Sequence, residues 1–218
     1  MKNRLLPFLL IIFILILNSC FGLSADIQMR KDGSGKILLE YRISRMAEII
    51  GRLDGNEKWP VIPAGRADFE RTVARIPGIK LASFSSREEP GKDIVNRVTL
   101  EYKNTEALLS FFDPSHRRTS FSKENGGNRL HMILYDGVSP QINSDLLELM
   151  KEVSAGYKLK ISFSAEGNSK ITFSDETGRT IEPPAGAETV LSGKKVSLST
   201  GIGEILSRKQ GLGITFSW

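Results

Sequence analysis

An uncharged, strongly apolar run from Leu5 to Leu17 sets the first constraint on this chain. Lys2 and Arg4 precede it and Asn18-Ser19-Cys20 follows. A basic start, a short apolar centre and a small residue ahead of a cut site are the marks of an export signal. A helix that crosses the bilayer core needs roughly 20 apolar residues, and this run falls short of that. Such a segment takes no part in a packed core, so folding is left to the residues behind it. Cys20 is the only cysteine in the 218 residues. An exported domain stapled by disulfides would carry an even set, so this one must rest on burial alone.

The tetrapeptide Leu17-Asn18-Ser19-Cys20 resembles the lipobox of bacterial lipoproteins, with an aliphatic first position and a small residue before the cysteine. Asn18 departs from the Ala, Ser, Thr or Val that is usual there. The resemblance implies cleavage before Cys20, a diacylglycerol thioether on its sulfur and usually acylation of the new amine, with palmitate among the acyl chains. Each buried methylene contributes about 0.8 kcal/mol, so two or three chains hold firmly where one does not. The expected layout is a signal peptide over residues 1–19, a lipid-anchored tether over 20–25 and one domain over 26–218, with a point of subdivision near 156. The expected location is the cell envelope, with the membrane contacted through lipidated Cys20. Two other readings of the segment stand beside this one: an ordinary secretory cut with a chance cysteine, and an uncleaved anchor helix.

Composition bounds the rest. Hydrophobic residues make up 40% and charged residues 25%, enough apolar material for a core and too mixed for disorder. Lys and Arg number 30 against 25 Asp and Glu. With Lys2 and Arg4 set aside, the remaining positive excess is too small to argue for a nucleic-acid partner.

From Asp26 the chain reads as a hairpin: Ile27 to Met29, a turn at Asp32-Gly33-Ser34-Gly35, and a strand from Lys36 to Ser44. The turn fails as a calcium loop, because the first and last ligand slots fall on Arg30 and Tyr41. Apolar spacing predicts helices over Arg45–Leu53 and Arg66–Ile76, the second stopped by Pro77-Gly78. Strands follow at Ile79–Ser86 and Asp93–Tyr102, then a helix over Glu106–Phe112 capped by Thr105 and ended by Asp113-Pro114. Arg129–Tyr135 reads as strand and Ser144–Val153 as a buried helix. After Gly156 come strands at Tyr157–Ala165, Lys170–Ser174, Val190, Val196–Ser199 and Leu212–Trp218, with a polar connection over Asp175–Ala187 and a helical turn at Gly203–Ser207. The class is α+β, a mostly antiparallel sheet with helices packed on one face. Leu212, Ile214, Phe216 and Trp218 share one side of the last strand, which marks it as a core strand.

Chemistry is sparse. There are two histidines, His116 in a polar loop and His131 in a strand on the face opposite Leu130 and Met132. Neither sits in a zinc-ligand spacing, and no Gly-x-Ser-x-Gly elbow surrounds a serine. Gly193-Lys194 lacks the hydroxyl residue and the first glycine of a phosphate loop. No metal or cofactor is expected. Residues 115–128 and the next strand carry Arg117, Arg118, Lys123 and Arg129 near Phe111, Phe112 and Phe121. That mix suits contact with an anionic or lipid-headgroup surface, although a solvated basic loop over a capped core helix is the more ordinary reading of it.

The layout after the lipobox, with strand endings such as Gly-Leu-Gly-Ile-Thr-Phe-Ser-Trp, is similar to the mycobacterial LppM-type envelope lipoproteins and to spirochaete envelope lipoproteins. No site residue carries that likeness, so it implies no function. Three functions remain in order of expectation. The first is a non-catalytic binding or scaffolding module of the envelope, on the periplasmic side or the surface, with a protein or lipid partner. The second is a carrier of a lipid or other apolar ligand, and the third an envelope hydrolase.

Overall fold

In this computed structural model the structure describes residues 21–43, 65–89, 93–124, 127–137 and 156–218, together with 148, 151, 152 and 154. The signal segment, Cys20 and the expected helix over 45–53 lie outside the described residues, as does most of the one expected from Ser144.

Among the described residues there are twelve strands in chain order, most of them alternating apolar and polar positions: β1 (Phe21–Met29), β2 (Gly35–Ile43), β3 (Ile79–Glu88), β4 (Ile94–Tyr102), β5 (Thr119–Glu124), β6 (Gly127–Tyr135), β7 (Lys158–Ser164), β8 (Lys170–Ser174), β9 (Thr180–Ile181), β10 (Glu188–Ser192), β11 (Lys195–Gly201) and β12 (Leu212–Ser217). Among the described residues three complete helices accompany them: α1 (Arg66–Ala74), α2 (Thr105–Phe112) and α3 (Ile202–Leu206). The α+β reading holds. The strands divide into two sheets, where the sequence suggested one. Sheet A has seven strands in the order β10-β11-β7-β1-β2-β4-β3, and sheet B has five in the order β5-β6-β12-β8-β9. Every pairing is antiparallel except β1 with β7, which is parallel.

One face of sheet A is apolar. Ile27, Ile37, Leu100, Phe163 and Leu198 lie along it, each fully buried. The Phe163 ring stacks on Phe216 of β12 at 5.0 Å and touches Trp218 at 4.6 Å, which joins sheet B to the β7 side of sheet A. Over the other side lies α1, whose Phe69 meets Tyr41 of β2 at 6.2 Å and Phe84 of β3 at 5.9 Å. The opposite face of sheet A carries polar pairs, some of them buried: Ser162 is 2% exposed. Ser162 and Ser197 share a hydrogen bond of 2.8 Å there, Lys195 pairs with Asp26 at 2.9 Å, and Arg97 pairs with Glu40 at 2.5 Å.

Several expectations shift in detail. Phe21–Ala25, expected as tether, is the first half of β1, hydrogen-bonded between β2 and β7. Its small residues carry little strand propensity, and pairing on both sides overrides that. Gly22 lies against Tyr157, where a Cβ would fall 2.7 Å from that residue's own Cβ. Asn104, one residue earlier than expected, caps α2 by accepting from Ala107 N–H at 2.9 Å. The connection over Asp175–Ala187 contains the short strand β9.

The C-terminal strand is central to sheet B, between β6 and β8, with Leu212, Ile214 and Phe216 at zero exposure. Removing a large aromatic from such a site costs about 3–5 kcal/mol, against a total stability of roughly 5–15 kcal/mol. Phe216→Ala should therefore lower the melting temperature sharply. A chain ended at Gly211 should fail to give a cooperative melt, and an unchanged transition would show β12 to be dispensable.

Candidate functional site

The segment that the sequence marked as basic is organised by an acid. Asp113 follows α2 and is buried at 5% exposure. Its carboxylate accepts from Ser115 N–H at 3.0 Å and Thr119 N–H at 3.2 Å, and more closely from Arg118 N–H and Ser115 Oγ. Burial alone would raise the pKa of this acid. The four donors outweigh burial and hold it at about 2. The loop from Ser115 to Arg118 is thus wrapped around one anion, and it hands the chain to β5. His116 has φ of 52° within the turn. Its Nε2 lies 3.1 Å from Ser110 Oγ and 3.5 Å from a Glu106 carboxylate oxygen, which ties the loop back to α2.

The four basic candidates do not converge. Arg117 is exposed on this loop. Arg118 pairs with Asp136 just past β6. Lys123, opposite Asn128, shares a strand face with Phe121, whereas Arg129, opposite Ser122, takes the other face of the sheet. Arg129 is exposed and already engaged with a neighbour. The aromatic residues nearby serve packing: Phe111 meets Phe112 edge-on at 5.3 Å, and Phe121 packs on Trp218 at 5.9 Å.

A second basic site lies at the β1–β2 turn end of sheet A, and the sequence reading missed it. Arg30, Ser34, Gly35, Ile79, Lys80, Glu101, Tyr102 and Lys103 line an open groove there of about 480 Å³. Gly35 is required by close approach, because a Cβ would run into the Gln28 carbonyl and the Tyr102 ring. The buried Tyr102 hydroxyl donates to that carbonyl at 2.9 Å, and burial pushes its pKa up. Glu101 lies between Lys80 at 2.8 Å and Lys36 at 3.2 Å, and these cations hold its carboxyl below the usual range. Arg30 Nη1 donates to Ser34 Oγ at 3.0 Å. Three cations against one carboxylate give the groove a positive lining. Its residues come from the β1–β2 turn, β3 and the end of β4, so no local motif announces them; the one signal is a basic residue beside each of three glycine- or asparagine-containing turns.

His131 is half-buried on the outer face of β6, its Nδ1 3.0 Å from Thr215 Oγ1, and burial lowers its pKa. Among the described residues no group of three or more His, Cys, Asp or Glu is placed to hold a metal ion. Among the same residues no helix is long and apolar enough to cross a membrane.

No protein-family model matches the chain, and no curated protein does. Among solved structures, the folded domain of the Mycobacterium tuberculosis LppM protein, determined by NMR, is similar at 11% identity over 91% of each chain, with a TM-score of 0.40. That is a distant likeness, and it shows neither family nor function.

The Asp113 network makes part of the stability acid-sensitive. A carboxyl whose folded pKa lies near 2, against about 3.9 unfolded, stabilises above the unfolded value and loses that contribution as pH falls through the folded one. Asp113→Asn turns a donor toward the N–H groups and should cost about 1.5–3 kcal/mol at neutral pH. Melts between pH 5 and 2 should show the gap between wild type and variant closing as pH falls. A constant gap would contradict the assignment.

Proposed function

We propose that this protein is a lipid-anchored binding or scaffolding module of the cell envelope, without catalytic chemistry of its own. The observation that carries the reading is the solitary cysteine at the end of a short apolar run behind a basic start. Arg117, Arg118, Lys123 and Arg129 remain candidates for contact with an anionic surface, and the groove of Arg30, Lys80 and Lys103 is the more concerted basic site. Both histidines are engaged in contacts that fasten structure, which favours a binding role over hydrolysis. An apolar-ligand carrier would need open space between its layers. Between β7 and β12 the rings of Phe163, Phe216 and Trp218 fill that space.

Cys20→Ala should leave an unprocessed precursor that takes up no labelled palmitate in a bacterial host, while the wild type is labelled. Equal labelling of the two would overturn the anchor.

A further inference from the structure

We propose that the end of sheet A where β1 begins is the surface that lies on the membrane, with the basic groove held at the far end. The inference rests on the lipid anchor proposed above and deepens it. Consecutive Cα atoms are 3.8 Å apart, so a lipid on Cys20 is one residue from Phe21. Phe21 is already in the sheet, opposite Lys158 in the parallel pairing of β1 with β7. The chain therefore leaves no slack between anchor and domain.

That end of the sheet is held from several directions. Gly22 packs on Tyr157, whose hydroxyl donates to Asp93 at 3.0 Å and whose carbonyl accepts from Ile202 N–H at 3.0 Å. β1 is an interior strand of sheet A, so its direction is fixed by β2 on one side and β7 on the other. An anchor at its first residue consequently orients the whole sheet.

The surface there has interfacial chemistry. Leu23, three residues from Cys20, is 39% exposed, an uncovered large apolar side chain next to the attachment point. Lys158 is exposed beside it, and Tyr157 and Ile202 are half-buried. An apolar side chain that dips among acyl chains, next to a long cationic one that reaches the headgroups, is the composition of a membrane-contacting surface. At the other end of β1 stand Arg30 and, across the groove, Lys80 and Lys103. The nine residues of β1, at about 3.3 Å each, put the two ends about 26–30 Å apart. The groove is thereby presented to whatever lies above the membrane.

The test uses the lipidated full chain, purified in detergent and placed in vesicles of phosphatidylethanolamine and phosphatidylglycerol that carry a headgroup-linked nitroxide lipid. A thioether on Cys20 does not react with maleimides, so Lys158→Cys and Lys103→Cys each give a single site for a fluorophore. Both residues are exposed. Glu188→Cys, exposed on β10 in the same half of the sheet as Lys158, serves as a second near-end probe if Lys158→Cys folds poorly. The expected result is strong quenching at the near-end probe and none above the vesicle-free baseline at 103. Equal quenching at both ends, or stronger quenching at 103, in protein that carries palmitate overturns the orientation and leaves the anchor standing. Wild-type protein without palmitate removes the anchor, and the orientation with it.

Discussion

The contact that the two-layer arrangement depends on is the stack of Phe163 on Phe216, with Trp218 against the same ring. Without it sheet B has no aromatic fastening to sheet A among the described residues, and the apolar face of β7 would lose its cover there. Two large rings at zero exposure contribute the area burial of their whole side chains, and the stacked geometry adds about 0.5–1.5 kcal/mol beyond area. The contact joins β7 to the last strand of the described chain. The two sheets are therefore joined only when residues far apart in sequence have come together. Domains with such long-range pairing fold slowly relative to helical ones of similar stability.

How much of this was legible in the sequence follows from how local each signal is. The alternation of Leu212, Ile214 and Phe216 placed β12 in a core from the sequence alone, and Asp113-Pro114 announced the end of α2. The division into two sheets was not legible. Alternation says that one side of a strand is buried and not which strand covers it, and Phe163 meets Phe216 across more than fifty residues. The start of β1 was missed for a related reason: Gly22, Ser24 and Ala25 have weak strand propensity, and only pairing with β2 and β7 makes them a strand. The basic loop was visible as composition. Its organisation around buried Asp113 was not, because four donors on one carboxylate are a property of the folded turn. The groove was invisible because Arg30, Lys80 and Lys103 come from separate strand ends.

The functional reading joins a signal carried entirely by sequence to a constraint carried entirely by structure. The sequence places one cysteine where a bacterial lipid would go, and the fold begins at the next residue. A membrane protein with a long leash can sample many orientations. On the proposed anchor, an interior strand that starts one residue on would leave no such freedom, and the face of sheet A with the Lys195–Asp26 and Arg97–Glu40 pairs would form a side wall. Ion pairs at this partial exposure contribute little to stability.

The central claim is that the mature protein begins at a lipidated Cys20. Its most direct test is the intact mass of the protein extracted from membranes of a bacterial host. The account predicts a polypeptide that starts at Cys20 and carries the added mass of a diacylglyceryl group, with or without an amide-linked acyl chain. An unmodified polypeptide that starts at any other residue, or one that retains the apolar run of Leu5 to Leu17, would contradict it.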